Sequence, residues 1–245
     1  GKNNPLNPDA TPDTVREASQ RAGKDPYQTA SYVDGTKTMF ELTCVANATG
    51  CMPAVPGMTG PEADLTTVSD AFRLKSDGGW IESSGIVDYV QGSAMAGGVF
   101  VTVRVGDKRI ADALTYLKVG KGPYFTFFRP YHLWFLEAPI SLARAYLDRE
   151  TTLVPLDQPV ADVATVAKRD LQPGDTLDAF GGYTFRGRNA RWDDFVAEKA
   201  LPVALAPGAR VKNAVRKGSV ITWEDVTLQE DVPIVRLRRE QEGQR

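Results

Sequence analysis

The chain has 245 residues, 42% of them hydrophobic and 24% charged, an ordinary globular composition with room for one large domain or two smaller ones. Its net charge of −2 implies no general attraction to polyanions, so nucleic acid is not an expected partner. No apolar run approaches the roughly 18 residues that suggest a membrane span, and no membrane partner is expected.

Cys44, Cys51 and the single histidine, His132, fall short of the Cys/His set of a structural zinc site, so no metal site is expected within the chain. Whether the activity needs a divalent metal is left open. The two cysteines flank a helix end, and reduced thiols are the default for the cytoplasmic location expected here. The chain opens Gly1–Lys2–Asn3–Asn4–Pro5, with no Met and no strand before it, as if it began in the middle of a protein. No leader-like segment is visible in it.

Pro5, Pro8 and Pro12 forbid a helix before Thr11. Thr11 is placed to cap a helix over 12–22 that ends at Gly23. The next stretch, Ser31 to Gly50, reads as a short strand Ser31–Val33, a turn at Asp34–Gly35 and a helix over 36–48. Gly50 is suited to end that helix in a left-handed conformation.

At helical spacing Met39, Leu42, Val45 and Ala46 share one side. Lys37, Glu41 and Cys44 share the other, with Asp34 above them at the cap. Lys37 precedes Glu41, the poorer order for both the pair and the helix dipole. Spacing alone leaves a solvated salt-bridged face and a polar site equally open.

A Pro/Gly loop follows at 51–61, then a helical segment over Leu65–Phe72 and a short strand at Gly85–Val90. Gly97–Val105 alternates apolar and polar residues and is the clearest strand of the chain. Asp107–Lys108 turns the chain, and Arg109–Lys118 fits either a strand or a short helix. The aromatics of Tyr124–Tyr131 and Trp134–Phe135 are expected mostly in the core. Among them Arg129, Tyr131 and His132 must find polar partners. Ala138–Leu147 reads as a helix with Pro139 at its start.

Residues 151–160 read as a linker between a first part, 1–150, and a second part, 161–235, with a charged, frayed tail at 236–245. The second part contains a weak internal echo. Val163–Leu177 and Val211–Ile221 each show a strand, basic residues, a Gly-centred turn and another short strand.

Two stretches, AKRDLQPGDTLD at 167–178 and AVRKGSVITWEDVTL at 214–228, resemble the SAF module, a β-clip found in sugar-acid dehydratases, sialic acid synthases and assembly proteins. The front of the chain is similar to homoserine-dehydrogenase-like oxidoreductases that carry a C-terminal SAF domain. Among these the nearest is the deoxyxylulose-phosphate reductoisomerase-like (DRL) type of isoprenoid biosynthesis. The matching stretches are GKNNP at 1–5, YVDGTKTMFELTCVANATG at 32–50, VPGMTGP at 55–61 and GKGPYFTFFRPYHLWFLEAP at 120–139.

The resemblance implies an α+β fold: a mixed sheet with packed helices, serving catalysis and dimerisation, followed by the mostly-β SAF clip. It also implies a Rossmann domain ahead of this region, which the chain lacks, since no GxGxxG occurs in it. NADPH or NADH would be the cofactor, bound mainly by that domain. The substrate would be a phosphorylated sugar such as 1-deoxy-D-xylulose 5-phosphate, and the assembly a homodimer.

Asp34, Lys37 and Glu41 would form a catalytic acid–lysine–acid set with Lys37 as proton donor or carbonyl polariser. Lys2, Asn3, Asn4 and Asn47 would bind substrate. Lys121 and Arg129 would hold its phosphate, and Tyr131 and His132 would order that anion or donate a proton. A homoserine-dehydrogenase-like activity on another substrate, and a non-catalytic SAF carbohydrate-binding or assembly protein, are the alternatives. A sugar-acid lyase draws no support from one histidine.

Overall fold

The computed structural model describes residues 1–229 and 231–243. They form an α+β structure in two compact units. The first unit comprises Gly1–Pro5, Ala48–Ala54 and Met58–Asp157. The second comprises Leu6–Asn47, Val55–Gly57 and Gln158–Arg245. The division differs from the one expected at 151–160, because residues 6–47 fold with the C-terminal strands.

The chain starts with α1 (Arg16–Ala22), which ends at Gly23 in the left-handed region. Thr11 and Thr14 exchange backbone-to-hydroxyl hydrogen bonds ahead of it. Next comes α2 (Pro26–Val33) where a strand over Ser31–Val33 was expected. Asp25 accepts from Gln28 N–H as the N-cap and Pro26 stands at the first helical position, so the helix starts upstream and carries Ser31–Val33 with it.

Asp34 closes α2 through its N–H to Ala30 O. Gly35 takes φ +91°, where any Cβ would press on Leu6. The long helix α3 (Thr36–Thr49) follows. Its buried stripe is Thr36, Met39, Thr43 and Ala46, with Thr38 beside it, while Val45 is exposed. Ala10, Val15 and Ala30 form a small core of the second unit with Val33.

In the first unit β1 (Met52–Pro53) pairs in parallel with β2 (Ile86–Val87), and α4 (Val68–Ala71) lies between them in sequence. β3 (Val99–Arg104) and β4 (Tyr124–Arg129) form an antiparallel ribbon, with Val99 opposite Arg129 and Arg104 opposite Tyr124. The segment between them is helix α5 (Lys108–Tyr116), because Asp107 caps it by accepting from Arg109 and Ile110 N–H. Such a cap contributes ~1 kcal/mol.

One ribbon face carries Phe100 and Phe128 onto a core of Ala63, Val68, Phe72, Ile81, Val90 and Met95. Each large apolar side chain buried there contributes about 1.5–3 kcal/mol. The opposite face leaves Val99, Val101 and Phe127 exposed. α6 (Trp134–Ala143) holds Pro139 inside it rather than at its start. Trp134, Phe135, Tyr131 and Phe127 are all exposed, so the expectation of a mostly buried aromatic run holds for Tyr124 and Phe125 but not for these.

The second unit resumes with β5 (Ala161–Ala167) and β6 (Phe185–Arg191), antiparallel with Ala161 opposite Arg191 and Ala167 opposite Phe185. β5 is buried at every position but Asp162. α7 (Trp192–Ala197) packs on both strands and places Phe195 in a core with Ala164, Ala190 and Ala200. β7 (Arg210–Val211) pairs with β8 (Val226–Thr227).

The two echoing segments bond to each other: Leu171 and Val215 exchange both backbone hydrogen bonds, and Gly174 N–H donates to Val211 O. The stretch expected to be a frayed tail is instead helix α8 (Pro233–Gly243), with residues 244–245 outside the described ones. Val235 is buried, and the Arg238 guanidinium lies 4.9 Å from the Trp192 ring and 2.5 Å from Asp162 Oδ2. All sheets among the described residues are two-stranded, so the expected single mixed sheet is replaced by separate pairs.

Candidate functional site

The sequence-predicted residues divide between the two units: Asp34, Lys37, Glu41 and Asn47 in the second, the remainder in the first. On α3, Lys37 Nζ lies 2.7 Å from Glu41 Oε1, and both side chains are about half exposed. Lys37 also sits 5.0 Å from the centre of the Tyr32 ring, and Lys24 lies 5.7 Å from the same centre. A cation over an aromatic face keeps its charge and its donors while losing part of its water. Lys37 is therefore a held but solvent-reachable ammonium.

Asp34 is not on that face. Its carboxylate is buried, accepts from Thr36 N–H at 2.8 Å and pairs with Lys168 Nζ at 2.7 Å, both side chains being almost wholly inaccessible. Lys168 spends its other donors on Ala10 O at 2.6 Å and Gly182 O at 2.9 Å. This set joins the turn before α3 to the chain after β5. The helical wheel put Asp34 above Lys37, but it could not know that a lysine distant in sequence would draw the carboxylate inward.

Asn47 is likewise committed. Its amide donates to Ala161 O and its carbonyl accepts from Val160 and Ala161 N–H, so it pins the start of β5. Thr36 Oγ1 accepts from Gly187 N–H at 2.9 Å and fastens the other end of α3 to β6. These contacts explain why residues 6–47 belong to the second unit.

In the first unit Lys2 runs alongside Gln91, its N–H donating to Val90 O and its carbonyl accepting from Gly92 N–H. Asn3 and Asn4 are exposed next to it. Arg129 forms an ion pair with Glu137, so the guanidinium assigned to a phosphate already has a carboxylate. His132 Nδ1 lies 2.8 Å from Gly97 O. Lys121 and Tyr131 are exposed.

A polar cluster that the sequence did not single out also lies in this unit. Tyr124 O–H donates to Asp77 at 2.7 Å, Arg104 Nε donates to the same oxygen at 2.7 Å, and Leu74 N–H donates to the tyrosine oxygen. Arg104, then Tyr124, hold the Asp77 carboxyl below the usual carboxylate range. Its members are spread over residues 74–124 and follow no periodicity, so only the fold assembles them.

Together these features place a half-exposed lysine at the head of the longest helix of an α+β chain. The model for the family described as oxidoreductase DRL, catalytic domain, matches residues 1–138, more than half of the chain, and the chain belongs to that family. No curated protein matches the chain. Among the described residues no helix is long and apolar enough to cross a membrane, and no group of His, Cys, Asp and Glu is gathered to hold a metal ion.

Proposed function

We propose that the chain carries the substrate-handling region and SAF domain of an NAD(P)H-dependent reductase or reductoisomerase acting on a phosphorylated sugar such as 1-deoxy-D-xylulose 5-phosphate. The observation that carries this reading is the oxidoreductase DRL catalytic-domain match over residues 1–138, which includes the Lys37 helix. The described residues do not fit a dinucleotide. No Gly-rich loop leads from a strand into a helix, and the parallel pair β1–β2 is two residues long on each strand. Binding of NADPH or NADH is therefore assigned to a Rossmann domain outside these residues, and no step is routed through the cofactor.

What this chain supplies is proton chemistry and grip. Lys37, steadied by Glu41 and Tyr32, is the proton donor at a substrate carbonyl oxygen. Lys121, Tyr131, His132 and the Lys2–Asn3–Asn4 segment are the substrate-binding candidates of the first unit. Arg129 joins them through the donors that its contact with Glu137 leaves over. The bare apolar side chains of β3, β4 and α6 favour a homodimer in this reading.

The test is turnover of 1-deoxy-D-xylulose 5-phosphate with NADPH by the enzyme bearing this region, native and Lys37→Ala. Loss of a general acid costs ~10²–10⁴ in kcat. Near-native kcat in the variant would remove Lys37 from the mechanism.

A further inference from the structure

The second unit contains a cation that the reading above does not use. Arg186 lies on β6, is half-buried, and its side chain makes no hydrogen bond or ion pair among the described residues. An arginine cannot shed its charge to escape burial, so a desolvated guanidinium needs an anion beside it.

The carboxylates around it are already taken. Asp34 is paired with Lys168 at 2.7 Å, and Asp9 with Lys217 at 3.0 Å. Arg188, two residues along the same strand and therefore on the same face, is paired with Glu198 through one terminal nitrogen. The Nε of Arg188 is buried without a partner. Four cations thus stand against three carboxylates, and the surplus charge falls on Arg186.

The strand beneath is fixed. Gly187 N–H donates to Thr36 Oγ1, and Asn189 O accepts from Gly57 N–H at 2.7 Å. Burial is the leading influence on Arg186 and disfavours its charged form; Asp34 and Asp9 oppose this, and Arg188 reinforces it.

We propose that Arg186, with Arg188 beside it, is an anion-binding position of the second unit that takes a phosphate-type oxyanion. A guanidinium fork matches two oxygens of such a group, and strand residues two apart bring a second guanidinium to the same face. The assignment stands apart from the reductase reading, since it rests on β6 and its neighbours alone. Free phosphate and the phosphoryl group of a small sugar phosphate present the same oxyanion.

The experiment is a titration of the full chain with inorganic phosphate, with potassium chloride at matched ionic strength as control. It is read by the melting temperature and by the arginine Nε–Hε resonances. The native chain is expected to melt higher in phosphate than in chloride and to shift an arginine resonance. Arg186→Met is expected to bind phosphate at least about tenfold more weakly, the loss of one charge-assisted hydrogen bond or more, while melting no lower than the native chain in phosphate-free buffer. Arg186→Lys, which keeps the charge but not the fork, is expected to fall between.

Equal native responses to phosphate and chloride, or an undiminished phosphate response in Arg186→Met, would overturn the proposal. So would a lower melting temperature of Arg186→Met in phosphate-free buffer, which would make the guanidinium structural. Glycerol 3-phosphate separates the two sources: tighter binding than inorganic phosphate supports a phosphorylated small molecule, and equal binding supports free phosphate.

Discussion

Removing the Lys168 ammonium tests the account of Asp34 directly. In Lys168→Met the stem volume is kept, but the buried Asp34 carboxylate loses the partner 2.7 Å away, and Ala10 O and Gly182 O lose their donor. Breaking a buried pair by removing one partner costs about 3–5 kcal/mol, because the remaining charge stays desolvated. In a chain of this size that corresponds to a fall of roughly 6–20 °C in the melting temperature of the second unit. Trp192 and Trp223, both in that unit, report the transition by fluorescence.

Asp34→Asn should also destabilise, and the double variant should cost less than the two single changes added together, since neither leaves a lone charge once both are gone. The decisive comparison is with activity. If Asp34→Asn left stability untouched and abolished turnover, Asp34 would be catalytic and the structural reading would be refuted. A loss under ~1 kcal/mol in Lys168→Met would refute it equally.

Asn47→Ala should lower stability by about 1–3 kcal/mol, the cost of leaving buried partners unmet, and speed hydrogen exchange at Val160 and Ala161, whose N–H groups it accepts; unchanged exchange there would show that the strand start holds itself. Two carboxylates give opposite pH slopes. Arg104 holds the Asp77 carboxyl low, so its contribution is present above the ordinary carboxyl range and is lost as pH falls through the lowered value; Asp77→Asn should flatten that acid-side loss in a urea titration against pH. Burial raises the Asp162 carboxyl, with Arg238 opposing and Glu242 reinforcing, so its contribution is present at acid pH and is lost as pH rises through the raised value. The stability difference between native and Asp162→Asn should therefore fall from about pH 4 upward; a rise would show that the Arg238 pair outweighs burial.

What the sequence alone made legible was local. Gly23 and Gly50 marked helix ends, α3 lay where its spacing put it, and the alternation of residues 97–105 named β3. The family, too, was legible in motifs confined to residues 1–139. Even local reading failed where a cap was overlooked, as with Asp25–Pro26, which turns Ser31–Val33 into helix.

Charge partners were decided only by the tertiary structure. The helical wheel places a side chain on a face but says nothing of what comes to meet it, and Asp34 meets Lys168 from 134 positions away. Arg186 and Arg188 illustrate the same limit. Read in the chain they are two charges in a polar run, FRGRNAR, with no apolar alternation to announce a strand. Folded, their neighbouring carboxylates are consumed by other cations, and one guanidinium is left over. Pairing among charges distant in sequence depends on burial and on which partner the fold brings close, and neither is written in the order of the residues.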